Sequence, residues 1–242
     1  MEQNKQRIVV KVGTSTLTHN SGALDLWSME HLVRTLADLQ GMGHEVILVS
    51  SGAIAVGTAK LGLSERPKEL RMKQAAAAVG QCRMMHIYDK FFSEYNRSMA
   101  QILLTGDDVE DPERAEHLSN TFSALLEMGV IPVVNENDSV SSAEIETGRH
   151  KVLGDNDTLS AIVAELCRAD LLVLLSDIDG LYDADPKTHP EAKLLHQVTE
   201  LTPEILEMAG GAGSWRGTGG MATKLSAARI AMEAGGDMVI TN

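Results

Sequence analysis

The chain has 242 residues, 43% of them hydrophobic but only 3% aromatic, and a formal net charge of −13. This length allows one large domain or two small ones, with a core that rests on aliphatic side chains. The acidic balance argues against nucleic acid as the main partner, because phosphate backbones need a basic face. It leaves an anionic small-molecule ligand open, since such a ligand requires only a local cationic pocket.

Neither the cysteines nor the N-terminal residues indicate an exported protein. Cys82 and Cys167 are far apart in apolar helical contexts, so we expect buried, reduced thiols rather than a disulfide or a zinc site. Residues 1–11 lack an apolar run of signal-peptide type, and no segment approaches ~20 continuous apolar residues. The sequence predicts a cytoplasmic protein without a membrane partner.

A β-branched strand begins at Arg7 and ends in the turn Gly13-Thr14-Ser15. Its continuous apolar character is typical of a strand buried on both faces of a parallel sheet. Lys11 is unusual there, because an unpaired buried ammonium is costly. It can reach a phosphate at the strand end, with Gly13 allowing close approach, or it can simply extend to solvent. A Walker A pattern is absent.

Helices and strands then alternate, which predicts an α/β domain with a parallel sheet. The predicted segments are a helix at 25–39, strands at 45–49, 99–104 and 131–134, and helices at 67–95 and 112–128. The turn at 50–54 offers backbone N–H groups to an anion, whereas a serine nucleophile lacks the GxSxG pattern and a His partner. Met72, Met84 and Met85 are interpreted as packing residues.

The most informative stretch is 131–160, where two Asn/Asp clusters flank a polar excursion. Residues 135–138 follow a strand, and residues 154–157 open a helix. Ligands of open α/β sheets bind at the carboxyl ends of strands, so these clusters can bind an amino acid, hold a metal or orient lysines around a phosphate. They can also be mere turns and caps, but two joined clusters favour a site. The excursion, 139–153, contains Arg149, His150 and Lys151 and is either a solvated hairpin tip or a lid.

The last third of the chain adds two candidate nucleotide contacts. The strand 171–175 ends at Ser176-Asp177, whose hydroxyl and carboxylate can contact a nucleotide or form a turn. The segment 217–224 places glycines before a helix over 221–234, with Lys224 in its first turn, as in a polyphosphate cradle. Two lysines, an aspartate between them and two glycine-rich turns indicate phosphoryl transfer, which needs positioning and positive charge.

Six segments, in this order, resemble the signatures of the amino acid kinase superfamily and specifically its glutamate 5-kinase family: VVKVGTS, VSSGAIAVG, VNENDSV, GDNDTLSA, LLSDIDGLYDADP and GTGGMATKLSAA. The resemblance covers nearly the whole chain. It implies a three-layer αβα sandwich with a mostly parallel central sheet. It also implies transfer of the ATP γ-phosphoryl group to the side-chain carboxylate of L-glutamate, the first step of proline biosynthesis.

The resemblance also implies roles for individual residues. Lys11, Lys224 and Asp157 would be catalytic, with the aspartate orienting both lysines. The residues that would bind glutamate are Ser51, Gly52, Asp138 and Asn156. The residues that would bind ATP are Lys11, Gly13, Ser176, Asp177, Gly217, Thr218, Gly219, Gly220, Met221 and Lys224. Mg²⁺ would be held mainly through ATP phosphates and water rather than by a protein metal site, and no general base is required because a carboxylate is already a nucleophile.

Homodimers or homotetramers and feedback inhibition by proline are further implications of the resemblance. The sequence departs from the family at Ser176, often Thr, and at 146–153, which looks longer and more basic. We predict a single kinase domain over 1–242 without the C-terminal PUA domain of many members. The family domain usually continues for a short stretch past Asn242, so a truncated chain and a short-form member both stay open.

Two other functions stay open. One is a sibling kinase acting on N-acetylglutamate, aspartate, carbamate or UMP, although the carboxylate of Asp138 suits a substrate with a free ammonium. The other is a non-catalytic sensor of glutamate or proline, because a fold does not fix a function. The presence of Lys11, Lys224 and Asp157 gives no sign of an inactive kinase.

Overall fold

The backbone is organised around a parallel sheet, seen in a computed structural model that describes residues 5–140, 153, 155–186, 188–208 and 220–242. The strands are β1 (Arg7–Val12), β2 (Glu45–Ser50), β3 (Met99–Leu104), β4 (Ile131–Glu136), β5 (Leu171–Leu175), β6 (Leu181–Tyr182), β7 (Leu194–Leu195) and β8 (Asp237–Thr241). Six of them form one sheet in the order β3-β4-β2-β1-β5-β8, in which all neighbours are parallel. The remaining two, β6 and β7, pair antiparallel.

Helices connect the strands, and some of them begin at side-chain caps. They are α1 (Thr14–Leu17), α2 (Leu26–Gly41), α3 (Ala53–Lys60), α4 (Leu70–Glu94), α5 (Gly106–Glu110), α6 (Pro112–Glu127), α7 (Asn156–Cys167), α8 (Pro203–Met208) and α9 (Met221–Glu233). The side chains of Asp25, Asp111 and Asp155 accept hydrogen bonds from backbone N–H groups at the starts of α2, α6 and α7. These caps satisfy N–H groups that have no partner within the helix.

Alternate side chains of each strand face two separate layers of helices. On β1, Ile8, Val10 and Val12 pack in one cluster with side chains of α2 and α4. Val9 packs in a second cluster, with side chains of α6, α7 and α9. Because successive side chains of a strand point to opposite faces, both faces of the sheet are covered. The prediction of a three-layer αβα sandwich with a mostly parallel sheet is confirmed.

The neighbouring strands β1 and β5 send the chain in opposite directions across the sheet. β1 leads to β2 on one side, and β5 leads towards β8 on the other. Their register pairs Lys11 with Leu174, so the carboxyl ends of both strands lie at the same edge. Ligands of open α/β sheets bind at such a switch point. The carboxyl ends of β1 and β5 are therefore the expected position of a ligand site.

Helices α3 and α4 are in direct backbone contact through two glycines. A Cβ atom at Gly57 would lie 1.7 Å from the carbonyl oxygen of Ala76, and one at Gly80 would lie 1.8 Å from that of Ala53. Only glycine allows such an approach, because any side chain would overlap the backbone of the other helix. The contact fixes the first turn of α3, which follows the turn at 50–52, against α4.

Two expectations about side chains are wrong. Cys82 is exposed on α4, whereas Cys167 is buried as expected. Met72 is 38% exposed, in contrast to the buried Met84 and Met85. The pattern misled because Ala and Met occur on all sides of α4, so hydrophobic periodicity does not mark its solvent face.

The long elements lie within a few residues of their predicted bounds, but the short ones were not predicted. Helices α1, α5 and α8 and the β6–β7 pair are too short for their sequences to show a hydrophobic period. In the described ranges of the chain, no helix is both long enough and apolar enough to cross a membrane.

Candidate active site

One buried carboxylate that contacts two buried lysines forms the centre of the candidate site. Asp157, in the first turn of α7, has its Oδ1 2.7 Å from Lys11 Nζ and its Oδ2 2.9 Å from Lys224 Nζ. Lys11 comes from the carboxyl end of β1, and Lys224 from the beginning of α9. The exposed fractions of Asp157, Lys11 and Lys224 are 3%, 9% and 8%. The structure therefore brings together the three predicted catalytic residues, here called the lysine–aspartate triad.

The charge balance of this triad is positive. Burial acts to raise the pKa of Asp157, but the ammonium groups of Lys11 and Lys224 outweigh burial and hold that pKa below its usual range. The carboxylate is therefore ionised at neutral pH, and its single negative charge faces two positive charges. Positive charge in an enclosed, weakly screened site attracts an anion strongly, and a phosphoryl group in transfer is such an anion.

The start of α9 adds a hydroxyl group to the triad. Thr223 Oγ1 lies 3.0 Å from Asp157 Oδ2 and 2.8 Å from the carbonyl oxygen of Gly220, so its one hydrogen is shared between two acceptors. Gly220 and Met221, two of the predicted ATP-binding residues, form the beginning of this helix. Three other residues of the predicted ATP-binding segment lie outside the described residues: Gly217, Thr218 and Gly219.

A cavity of about 580 Å³ lies at the start of α7, directly before Asp157 in the chain, and all four predicted substrate-binding residues line it: Ser51, Gly52, Asp138 and Asn156. We call it the substrate cavity. Carboxylates and cations both contribute to its walls, namely Glu136, Asp138, Asp155, Arg66, Lys68 and Lys73. A cavity with side chains of both signs suits a small molecule that carries an ammonium group and carboxylates.

The turn after β2 shapes one wall of the substrate cavity. Gly52 has a φ of +102°, in the left-handed region, and a Cβ atom there would lie 3.3 Å from Thr14 Cγ2. Ser51 Oγ donates to the carbonyl oxygen of Val12 at 2.9 Å, which ties this turn to the end of β1. The first residues of α3 also line the cavity. Their backbone N–H groups, which have no acceptor within the helix, therefore lie beside it.

Asn156 is fixed at the cavity wall by hydrogen bonds. Its Nδ2 donates to the carbonyl oxygen of Ser50 and to Asn135 Oδ1, each at 3.0 Å. Asn135 Nδ2 in turn donates to Gln81 Oε1 at 3.0 Å. The hydroxyl groups of Ser50 and Tyr88 lie 2.9 Å apart, and burial raises the pKa of Tyr88 so that its hydroxyl stays protonated. The wall is thus a network in which the partly buried Asn156 is held by buried polar side chains.

The predicted nucleotide-binding residues of β1 and β5 lie at the ends of these adjacent strands. Ser176 and Asp177 follow β5, with Ser176 Oγ 3.4 Å from Asp177 Oδ1. Gly13 follows β1, and a Cβ atom there would lie 3.7 Å from Lys11 Nζ. A side chain at position 13 would therefore cover the space beside the ammonium group of Lys11.

Comparison with known proteins identifies the family. A model of the amino acid kinase family matches residues 6–242. The chain belongs to the amino acid kinase family. Among curated relatives, it is similar to a glutamate 5-kinase of Clostridium perfringens, with 56% identity over 240 residues that cover 99% of this chain and 88% of the relative. A glutamate 5-kinase of Clostridium acetobutylicum is 56% identical over 239 residues, covering 99% of this chain and 87% of that protein.

Solved structures of other kinases share the fold. A carbamate kinase from Giardia lamblia, solved bound to AMP-PNP, aligns with a TM-score of 0.65. The alignment covers 100% of this chain and 93% of that one, at 15% sequence identity. At that identity the likeness concerns the fold alone.

Several residues of this amino acid kinase site were not identified from the sequence. Thr14, Arg66 and Lys68 line the substrate cavity, and Thr223 contacts the triad. Arg66 and Lys68 lie between α3 and α4, in a segment without any motif, so no local signal marked them. Thr223 directly precedes Lys224 inside the predicted ATP-binding segment 217–224, and this position could have indicated a role for it.

The role of the polar excursion and the binding of Mg²⁺ without a set of protein ligands stay predictions. Most of the polar excursion, residues 141–152 with Arg149, His150 and Lys151, lies outside the described residues. Within the described ranges, no group of three or more His, Cys, Asp or Glu side chains is placed to hold a metal ion. The carboxylate of Asp157 already contacts two lysines and a threonine.

Proposed function

We infer that this chain is an ATP-dependent kinase that phosphorylates the side-chain carboxylate of L-glutamate, giving L-glutamyl 5-phosphate for proline biosynthesis. The observation that carries this inference is the lysine–aspartate triad beside a cavity lined by side chains of both signs. The glutamate 5-kinases that are 56% identical over nearly the whole chain support the choice of substrate. The catalytic and binding roles below are part of the proposal.

In this proposal the triad supplies positive charge to the group in transfer. Lys11 and Lys224 hold oxygens of the phosphoryl group, and Asp157 keeps the two ammonium groups at a fixed separation. Charge stabilisation and positioning are the main demands of phosphoryl transfer. The attacking carboxylate of glutamate is ionised at neutral pH, so no side chain has to remove a proton from it.

Glutamate is bound in the substrate cavity, whose walls offer partners for each of its charges. The Asp138 carboxylate and the amide oxygen of Asn156 accept hydrogen bonds from the substrate ammonium. The turn at Ser51 and Gly52, with the first N–H groups of α3, holds a carboxylate. N-acetylglutamate has no ammonium to pair with these acceptors, which disfavours it as a substrate.

ATP occupies the other side of the triad, over the ends of β1 and β5. Gly13, Ser176, Asp177 and the segment 217–224 hold it in this proposal. Mg²⁺, when bound with ATP, neutralises phosphate charge and is held by phosphate oxygens and water rather than by a set of protein ligands. The described side chains fit that arrangement, because the triad carboxylate is already occupied by its lysines.

Regulation by proline and assembly into oligomers complete the proposal. Proline acts as a feedback inhibitor, and the enzyme works as a homodimer or homotetramer. Proline titration in the activity assay tests the first, and light scattering of the purified protein tests the second.

The reaction is tested by incubating the protein with ATP, Mg²⁺ and L-glutamate and trapping the acyl phosphate with hydroxylamine. We expect glutamate-dependent hydroxamate together with ADP release, and little of either with L-aspartate or N-acetylglutamate. A clear preference for N-acetylglutamate would overturn the substrate assignment. Tight glutamate binding without hydroxamate would replace the kinase with a sensor.

A further inference from the structure

Three amide side chains, those of the partly buried Asn156 and the buried Asn135 and Gln81, run from the substrate cavity into α4. Asn156 uses both N–H groups of its amide, one for the carbonyl oxygen of Ser50 and one for Asn135 Oδ1, each at 3.0 Å. A primary amide has two N–H donors and one oxygen. Since Asn156 lines the substrate cavity, its oxygen is the atom that remains for a ligand.

The direction of the amide chain follows from chemistry alone. A backbone carbonyl such as that of Ser50 can only accept, so Asn156 must present its nitrogen there. Asn135 must then offer its oxygen to Asn156 and its nitrogen to Gln81, whose Oε1 lies 3.0 Å away. The order of donors and acceptors is thus fixed without any hydrogen being observed.

Gln81 ends the chain without lining the substrate cavity. It lies on α4 next to Gly80, where α4 contacts the backbone of α3, and it is 8% exposed. Its Nε2 is buried and has no hydrogen-bond partner among the described residues, so the oxygen is the end of this amide that is used. That end contacts Asn135, which is itself 3% exposed. A glutamine at this position thus acts on the site through its neighbour.

We propose that Gln81 is a positioning residue: by accepting from Asn135, it keeps the oxygen of Asn156 directed at the substrate ammonium. The inference rests on the proposed function, in which that ammonium contacts Asn156 and Asp138. Without the acceptor at position 81, the Asn135 amide is free to rotate and present its nitrogen to Asn156. The N–H groups of the two amides then face each other, and Asn156 loses its hydrogen bond to Asn135, one of the two that hold it.

The test compares the binding of L-glutamate with that of glutarate, which has both carboxylates but no amino group. Calorimetry gives both dissociation constants without requiring turnover. We expect Gln81→Met, which has a similar length but no acceptor, to weaken glutamate binding roughly three- to tenfold. Glutarate binding should change less than twofold, because glutarate makes no contact through an ammonium. Gln81→Glu keeps an acceptor and should restore glutamate binding to within about twofold of the wild type.

Gln101→Met is the matched control. Gln101 and Gln81 both line a second cavity, of about 330 Å³, but Gln101 is not part of the amide chain, so its variant should bind both ligands like the wild type. If Gln81→Met does not fold, Gln81→Leu takes its place, because the second cavity leaves room for a branched side chain. An equal loss of glutamate and glutarate binding, or no loss of either, would overturn the proposal. Absence of hydroxamate from the wild type would instead count against the proposed reaction, because these binding constants do not depend on turnover.

Discussion

At the residue scale, the site depends on the buried carboxylate of Asp157. Asp157 contacts Lys11 and Lys224 at 2.7 and 2.9 Å and is almost fully enclosed. Each lysine alone would be a costly buried charge, and each is tolerated because the same aspartate neutralises part of it. The triad is therefore both a structural ion pair and a preformed site for negative charge.

Asp157→Asn is expected to destabilise the protein by about 3 kcal/mol at pH 7, because two buried ammonium groups lose their counter-ion. The folded-state pKa of Asp157 lies below the ordinary value of 3.8. The stabilisation is therefore fully present above pH 3.8 and is lost as the pH falls through the folded-state pKa. Denaturant unfolding of the wild type and Asp157→Asn should be measured between pH 7 and pH 3. The difference between their free energies of unfolding should decrease only at the acid end of this range.

Asp89→Asn is the control for this measurement, because Asp89 is exposed on α4 and its carboxylate is solvated. Its free energy of unfolding should match that of the wild type throughout. A gap for Asp157→Asn that stays constant down to pH 3 would contradict the assignment of a depressed pKa.

Replacement of either triad lysine should affect turnover more than binding. In the proposed mechanism, Lys11→Met and Lys224→Met each remove a charge that stabilises the phosphoryl group, so we expect kcat to fall by roughly 10²- to 10³-fold. The KM for glutamate should change far less, since neither lysine lines the substrate cavity. Steady-state kinetics with hydroxamate detection gives both values. Lys60→Met, at an exposed position on α3, is the control, and equal activity of all three variants would exclude the two-lysine mechanism.

At the element scale, the contact between α3 and α4 connects helix packing to the site. Gly80 lies against the carbonyl oxygen of Ala53, the first residue of α3, and Ala53 lines the substrate cavity. The neighbouring Gln81 holds Asn135 from the same helix turn. The position of α4 thus sets two parts of the cavity wall.

Gly80→Ala tests this connection, because helix propensity and the packing of α4 against α3 change the stability of the protein in opposite directions. Alanine in a helix interior is favoured over glycine by about 0.5–1 kcal/mol. Here the added Cβ atom would lie 1.8 Å from a backbone oxygen, so the helices must move apart. We expect a net loss of about 2 kcal/mol in the free energy of unfolding and a higher KM for glutamate.

The matched substitution for Gly80→Ala is Ala75→Ser on the exposed side of the same helix, which should change both quantities little. Thermal or denaturant unfolding and steady-state kinetics are measured on both variants. A Gly80→Ala protein that is more stable than the wild type would show that α3 and α4 are not in backbone contact.

At the scale of the whole molecule, an acidic protein has to bind anionic substrates. The net charge of −13 repels glutamate and ATP at long range. The positive charges are placed where they act locally, in the triad and at the exposed Arg66 and Lys68 of the substrate cavity. The attraction of anionic substrates by these local charges therefore opposes their repulsion by the net negative charge of the protein.

The double variant Arg66→Gln/Lys68→Gln should raise the KM for glutamate about threefold and leave kcat nearly unchanged, because exposed charges at a rim mainly steer binding. Arg83→Gln/Lys90→Gln removes the same charge from exposed positions of α4 that do not line the cavity. The difference between the two variants should shrink when salt shortens the Debye length from about 30 Å at 0.01 M to about 8 Å at 0.15 M. Equal KM values for both variants at low salt would remove Arg66 and Lys68 from the binding site.

The sequence by itself determined the parallel α/β fold and most residues of the candidate site. Alternation of apolar strands with helices indicates the parallel architecture, because continuous apolar runs of strand length are typical of a sheet covered on both faces. Local patterns drew attention to Lys11 at a strand end, to Asp157 in an Asn/Asp cluster at a helix start, and to Lys224 after a glycine-rich turn. Their catalytic roles were implied by the family resemblance. The exposure of Cys82 was predicted wrongly, because alanine-rich α4 has no clear polar side.

Only the tertiary structure decided which residues far apart in sequence meet in the candidate site. The switch in strand order at β1 and β5 brings Lys11 and Lys224 to one carboxylate. Likewise, the backbone contact of α3 with α4 and the hydrogen bond from Asn135 to Gln81 depend on packing between elements far apart in sequence. Propensity and periodicity act over a few neighbouring residues, whereas these contacts arise from how whole layers fit together.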